Sequence, residues 1–156
     1  MPGLRDYLQE KAKEHNMVER LERRREWVAA VTKLMEQLET WLREADPQRL
    51  LSVYTTMHPK LEQHLGHYDV PGLEVVFGDT QVRIIPVGRA VLSSGDLGSP
   101  QMQAVGRVDV SGSGRKFYLF RYVVDGTDQW VVQHWNGTVR KLDREVFDEI
   151  MLELLS

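Results

Sequence analysis

The feature that most restricts the fold is a set of short turns. Gly78-Asp79-Thr80, "SGSG" at 111–114, "DGTD" at 125–128 and Asn136-Gly137 separate runs that are alternately or wholly apolar. A connection this short can join only antiparallel neighbours, because parallel strands need a long crossover. Asn-Gly is the strongest of these hairpin signals. The runs "LEVVF" and "QVRIIPV", followed by others at about 104–110, 115–124, 129–135 and 138–142, therefore predict an antiparallel β-meander of about six strands.

Helical periodicity frames this sheet on both sides. From Met17 to Ala45 the apolar residues keep a seven-residue beat. Leu21, Val28, Met35 and Leu42 form one row, Met17, Val31, Leu38 and Ala45 a second, and Trp27, Leu34 and Trp41 a third. Rows spaced three and four apart share one helical face, so the pattern predicts one long amphipathic helix at about 17–45. Packing on the chain's own sheet and self-association both suit so wide a stripe. Leu4, Tyr7 and Leu8 indicate either a short additional helix or an extension of this one. Asp46-Pro47 reads as a helix start, with aspartate as cap and proline in the first turn, so "PQRLLSVYTTM" is expected to be helical up to His58-Pro59, with a further turn ending at Gly66. At the far end, Asp143 caps "REVFDEIMLELL", whose Val146, Phe147, Ile150, Met151, Leu154 and Leu155 form an inward stripe.

The expected fold class is thus α+β: N-terminal helices, an antiparallel meander and a C-terminal helix packed on the sheet. A helical region at 1–66 and a sheet with its closing helix at 67–156 are expected to form one compact unit. The intervening "RAVLSSGDLGSPQMQ", 89–103, has no period and reads as a lid or contact segment.

The stretch "RKFYLFRYVVDGTDQWVVQHW", 115–135, concentrates aromatic residues. In an extended strand, Tyr118, Phe120 and Tyr122 face one way and Phe117, Leu119 and Val123 the other. Apolar faces on both sides predict a central strand covered twice, by the C-terminal helix on one face and by the N-terminal helices on the other. An RNA-reading strand fits less well. Lys116, Tyr118 and Leu119 stand where such a strand carries glycine, a small residue and a stacking phenylalanine.

Charge narrows the functional classes. The net charge is −3, and only 73–142 is basic, with eight Lys/Arg against six Asp/Glu. That is a weak footprint for a dedicated nucleic-acid binder. Cysteine is absent, which removes thiol nucleophiles, disulfides and thiolate metal sites and suits a reducing compartment. With no apolar run long enough for a signal or a span, the expectation is a soluble cytoplasmic protein without a membrane role.

Three functional readings follow. The first is a non-catalytic interaction or assembly module, with a protein partner or a homo-oligomer contacted through Trp27, Leu34 and Trp41, and no cofactor. The second is an accessory nucleic-acid binder using Arg115, Lys116, Arg121, Arg140 and Lys141 beside the sheet aromatics. The third is an enzyme, either metal-dependent at His58, His64, His67 and Asp69 or hydrolytic beneath the 89–103 loop. It ranks last because the histidines lack an HExxH pattern, no G-x-S-x-G elbow is present, and "SGSGRK" lacks the spacing of a phosphate loop.

Overall fold

Helix α1 runs without interruption from Leu4 to Ala45, so the turns around Leu4, Tyr7 and Leu8 extend the long helix rather than forming a separate one. The structure, a computed structural model, describes residues 3–89 and 104–156. The lower half of α1 supplies Trp27, Ala30, Val31, Leu34, Met35, Leu38 and Leu42, all buried. Its upper half makes no such burial, and it propagates from a helix already anchored, which spares it the cost of nucleation.

Among the described residues, seven strands follow: β1 (Ser52–Glu62), β2 (Gly66–Phe77), β3 (Thr80–Gly88), β4 (Arg107–Gly112), β5 (Arg115–Val124), β6 (Thr127–Gln133) and β7 (Val139–Lys141). They form one antiparallel sheet in simple sequence order. Helix α2 (Arg144–Leu155) closes the chain, with the Asp143 carboxylate accepting the Val146 N–H at 2.8 Å as the sequence predicts. Two-residue turns at Ser113-Gly114 and Asp125-Gly126 have positive φ at both positions, the backbone that matches strand twist.

The expected second helix is instead β1. Asp46 does gather backbone donors, accepting from Leu50 N–H and Leu51 N–H at 2.8 Å each, but it does so in a turn. Arg49 takes a left-handed φ of 55°, which sends the chain into extended backbone rather than a helix. Val53, Tyr54, Thr55 and Thr56 are strand formers, and β1 pairs with β2 along its whole length, from Ser52↔Val76 to Glu62↔Gly66. The added strand raises the sheet from six to seven, and the stretch expected to be helical across 1–66 contains it.

Layering also differs from expectation. Leu73, Val75, Val82, Ile84, Val108, Val110, Phe117, Leu119 and Val132 join the buried residues of both α1 and α2 in a single core. Both helices therefore cover the same face. On the other face Phe120, Tyr122 and Val131 form a small separate cluster with Ala104 and Tyr118. The 89–103 loop falls, from residue 90 onward, outside the described residues.

On the tip side of Gly72 the β1–β2 hairpin leaves the sheet: β2 pairs with β3 only over Leu73–Phe77. The buried positions of β2 change parity at that point, Tyr68 and Val70 before it and Leu73 and Val75 after it. A two-stranded ribbon twists more strongly than a wide sheet, so the free end turns over to meet α1. A Cβ on Gly72 would sit 2.5 Å from the Ile84 carbonyl oxygen, which explains glycine at the bend.

Trp27 fixes where the helix lies. Its ring packs so closely on Gly106 that a Cβ there would stand 2.1 Å from the indole, and Gly106 has φ of 155°. Gly106→Ala is expected to destabilise the fold by about 2–3 kcal/mol, the scale of overpacking a core. Urea denaturation checks this, with near-UV circular dichroism reporting the displaced tryptophan.

Candidate interaction surface

The upper half of α1 carries large apolar side chains that none of the other described residues covers. Leu4 is 73% exposed, Tyr7 56%, Leu8 55%, Met17 63% and Val18 53%. At 3.6 residues per turn, Leu4, Tyr7, Leu8 and Val18 fall within about 100° of one another, roughly half a turn from the centre of the Trp27–Val31–Leu34–Leu38–Leu42 stripe. One rod thus carries two apolar stripes on opposite faces, the lower turned to the sheet and the upper turned away. Lys11 lies within the upper stripe, 5.8 Å from the centroid of the Tyr7 ring and 3.4 Å from Glu14. Among the described residues no helix is long and apolar enough to cross a membrane.

The junction between the halves is tightly held. Arg20 donates to the Gln63 carbonyl at 2.7 Å and Arg24 to the His67 carbonyl at 2.8 Å, gripping the tip of the β1–β2 hairpin. One turn on, the Trp27 indole N–H donates to the Tyr68 hydroxyl at 3.2 Å. That hydroxyl donates in turn to Glu62, whose carboxylate also accepts the Arg89 N–H at 3.1 Å. Burial first, then the Glu62 carboxylate, pushes the Tyr68 phenol well above its ordinary value.

The residues singled out in the sequence are placed otherwise. Trp27 and Leu34 are core side chains, 0% and 5% exposed, and present no surface to a partner. Trp41 is partly buried against Phe147, ring centroids 5.9 Å apart. Their row belongs to the lower stripe, and the lower stripe is spent on the protein's own sheet.

The five cations do not form one patch. Arg121 is buried beneath α1, with Nη2 3.0 Å from Glu26 and 2.8 Å from Asp128, while its Nη1 has no partner among the described residues. Lys116 lies on the opposite face, 3.4 Å from Asp109, which also takes both nitrogens offered by Arg107. Arg115 pairs with Glu153 at 2.7 Å and Arg140 with Glu149 at 2.7 Å. Lys141 is exposed on β7. The sheet aromatics are covered as well: Phe120 and Tyr122 are 5% and 2% exposed, and the Arg107 guanidinium lies 5.1 Å from the Tyr118 ring.

His58, His64, His67 and Asp69 are spread along the β1–β2 hairpin. His58 bonds Thr56 at 2.7 Å and stands opposite Val70, His64 is in the turn, His67 is opposite Leu61, and Asp69 is opposite Pro59. Among the described residues no group of three or more His, Asp or Glu side chains is arranged to hold a metal.

A second exposed apolar area lies where the C-terminal ends of α1 and α2 meet the start of β1. Leu42, Leu51 and Met151 floor a groove there, and Leu50, Phe77 and Leu152 stand exposed at its rim. Compared with known proteins, the chain matches no family model, no curated protein and no solved structure.

Two histidines make stability depend on pH. His134 accepts a hydrogen bond from Arg140 Nε at 3.1 Å and meets the Phe117 ring edge-on, so the fold holds it neutral. Burial first, then the Arg140 charge, lowers its pKa, and burial followed by Lys60 lowers that of His58. A base whose folded pKa is depressed binds fewer protons folded than unfolded, so the stability it contributes is complete above the unfolded value and is lost as pH falls below it. Thermal midpoints are expected to fall as pH drops from about 7 through the ordinary histidine value near 6.5. His134→Gln should make that decline shallower, as a denaturation series across pH will show.

Proposed function

We propose that the protein is a non-catalytic interaction or assembly module whose contacts are made by the upper half of α1. One observation carries the reading: a continuous helix turns its upper apolar stripe half a turn away from the sheet that its lower stripe covers. A side chain such as Leu8 contributes about 1.5–3 kcal/mol when fully buried, and here that burial is left unmade by the described residues. Contiguous apolar surface of this kind, bordered by charge, marks protein contact sites. Arg5 and Glu10, both exposed, supply such a border.

The nucleic-acid reading draws less support. Four of its five cations are engaged with carboxylates, they lie on different faces, and Phe120 and Tyr122 are withdrawn from solvent. Stacking on single strands needs rings that bases can reach.

A benzophenone side chain in place of Leu8 or Val18, introduced into the protein at its natural level in cells, is expected to give protein adducts on illumination. The same group in place of Gln9 or Asn16, exposed on the opposite side of the same turns, should give few. Equal labelling from both faces, or none from either, would refute the reading.

A further inference from the structure

Resting on the reading of the upper helix as a contact surface, we propose that its occupant is a second copy of the same segment, packed antiparallel about a two-fold axis between Ala12 and Lys13. Leu4, Lys11 and Val18 form one seven-residue row and Tyr7, Glu14 and Leu21 the other, so the six positions are alternately three and four residues apart. This is the spacing of a coiled-coil seam. Reversing one copy against the other about that axis sets Leu4 opposite Leu21, Tyr7 opposite Val18 and Lys11 opposite Glu14, each pairing occurring twice. Apolar meets apolar at both ends, and each cation meets an anion at the centre.

The centre also selects orientation. In a parallel, in-register pair, Lys11 would face Lys11 and Glu14 would face Glu14, two like-charge contacts in the seam. The antiparallel pair replaces both by attraction. Charged residues at seam positions fix register and orientation at some cost in stability, which is the role assigned to this pair. Both are more than half exposed in the single chain, so each can reach across. Leu8 and Met17 flank the seam on its two sides and widen the apolar strip.

Sterically the pairing is open. Arg20 and Arg24 hold the hairpin tip on a side of the helix roughly a third of a turn from the seam. The described part of each body therefore lies to one side of its own helix, off the seam. A two-fold contact uses the same patch on both copies, as an isologous dimer must. Helices paired over about 27 Å bury an area at the low end of specific interfaces, so a dissociation constant on the order of 10 µM is expected.

The absence of native cysteine permits a direct test on the full chain. Sedimentation equilibrium of the purified protein at up to about 100 µM should show a monomer–dimer equilibrium. Lys11→Glu and Glu14→Lys, each placing like charges across the seam, should each weaken the dimer by about tenfold or more, and the double exchange Lys11→Glu with Glu14→Lys should restore it. In the Tyr7→Cys/Val18→Cys variant, oxidation should link position 7 of one copy to position 18 of the other, while Tyr7→Cys alone gives little dimer. Circular dichroism confirms that the helix survives each change. A strictly monomeric chain overturns the inference, and so does efficient disulfide dimerisation of the single Tyr7→Cys variant, which would mean a parallel pair. If the chain is monomeric but benzophenone at position 8 labels another protein in cells, the helix is still a contact surface and only the self-pairing fails. If neither occurs, both readings fall together.

Discussion

Burial of the Trp27 indole is the constraint on which the rest of the structure depends. The ring is fully enclosed, 6.2 Å from the Trp130 centroid, and set against a glycine that leaves no room for a side chain. Its one polar atom is satisfied by Tyr68, so the burial carries no unpaired donor. Because β2, β6 and the segment before β4 all meet this ring, its position fixes the crossing point of helix and sheet. The apolar stripe toward Ala45 is committed to the core, and the turns from Leu4 to Val18 extend beyond it.

That crossing point explains an otherwise odd allocation of charge. Arg121 lies on the helix-covered face of β5, where the alternation of Phe117 and Leu119 would call for an apolar residue. It is admitted because Glu26, one position before Trp27, and Asp128 on the neighbouring strand both reach it. Such a pair ties the helix to one register on the sheet, although buried ion pairs in general contribute little net stability. The opposite face keeps its buried polar group in another way, with Asp109 held between Arg107 and Lys116.

The two halves of α1 meet opposite needs with the same helical period. Below Trp27 the stripe is wide and packs on strands and on α2. Above it the stripe is narrower, contains Lys11 and Glu14, and has changed phase. The phase change leaves Leu4, Tyr7, Leu8 and Val18 outside the core that the lower stripe builds. The groove beside Leu50 and Leu152 is exposed too, but nothing in its geometry specifies what would cover it.

Much of the architecture could be read from residues alone, and the failures have physical causes. The hairpins at Asp125-Gly126 and Asn136-Gly137 were legible because turn chemistry is local, and α2 because Asp143 and its apolar stripe agree. The strand β1 was misread because Asp46-Pro47 is a capping signal, and the spacing of Leu50, Leu51, Tyr54 and Met57 imitates a helix. Pairing with β2, a contact between distant residues, overrode it. The row of Trp27, Leu34 and Trp41 was legible as apolar, but its spacing suits core and partner alike, and only the fold shows Trp27 and Leu34 enclosed by the chain's own sheet. The sequence does contain a signal for the upper surface, in the half-turn offset between Leu4, Tyr7, Leu8 and Val18 and the rows that follow. Its meaning depended on knowing which offset faced the sheet. By itself, then, the chain determined the antiparallel order of its strands, its closing helix and its long amphipathic rod, since these follow from turns and periods spanning a few residues. Only the tertiary structure decided that both helices share one face, that β1 is a strand and that the described residues leave half the rod uncovered, because those outcomes depend on which distant surfaces compete for the same burial.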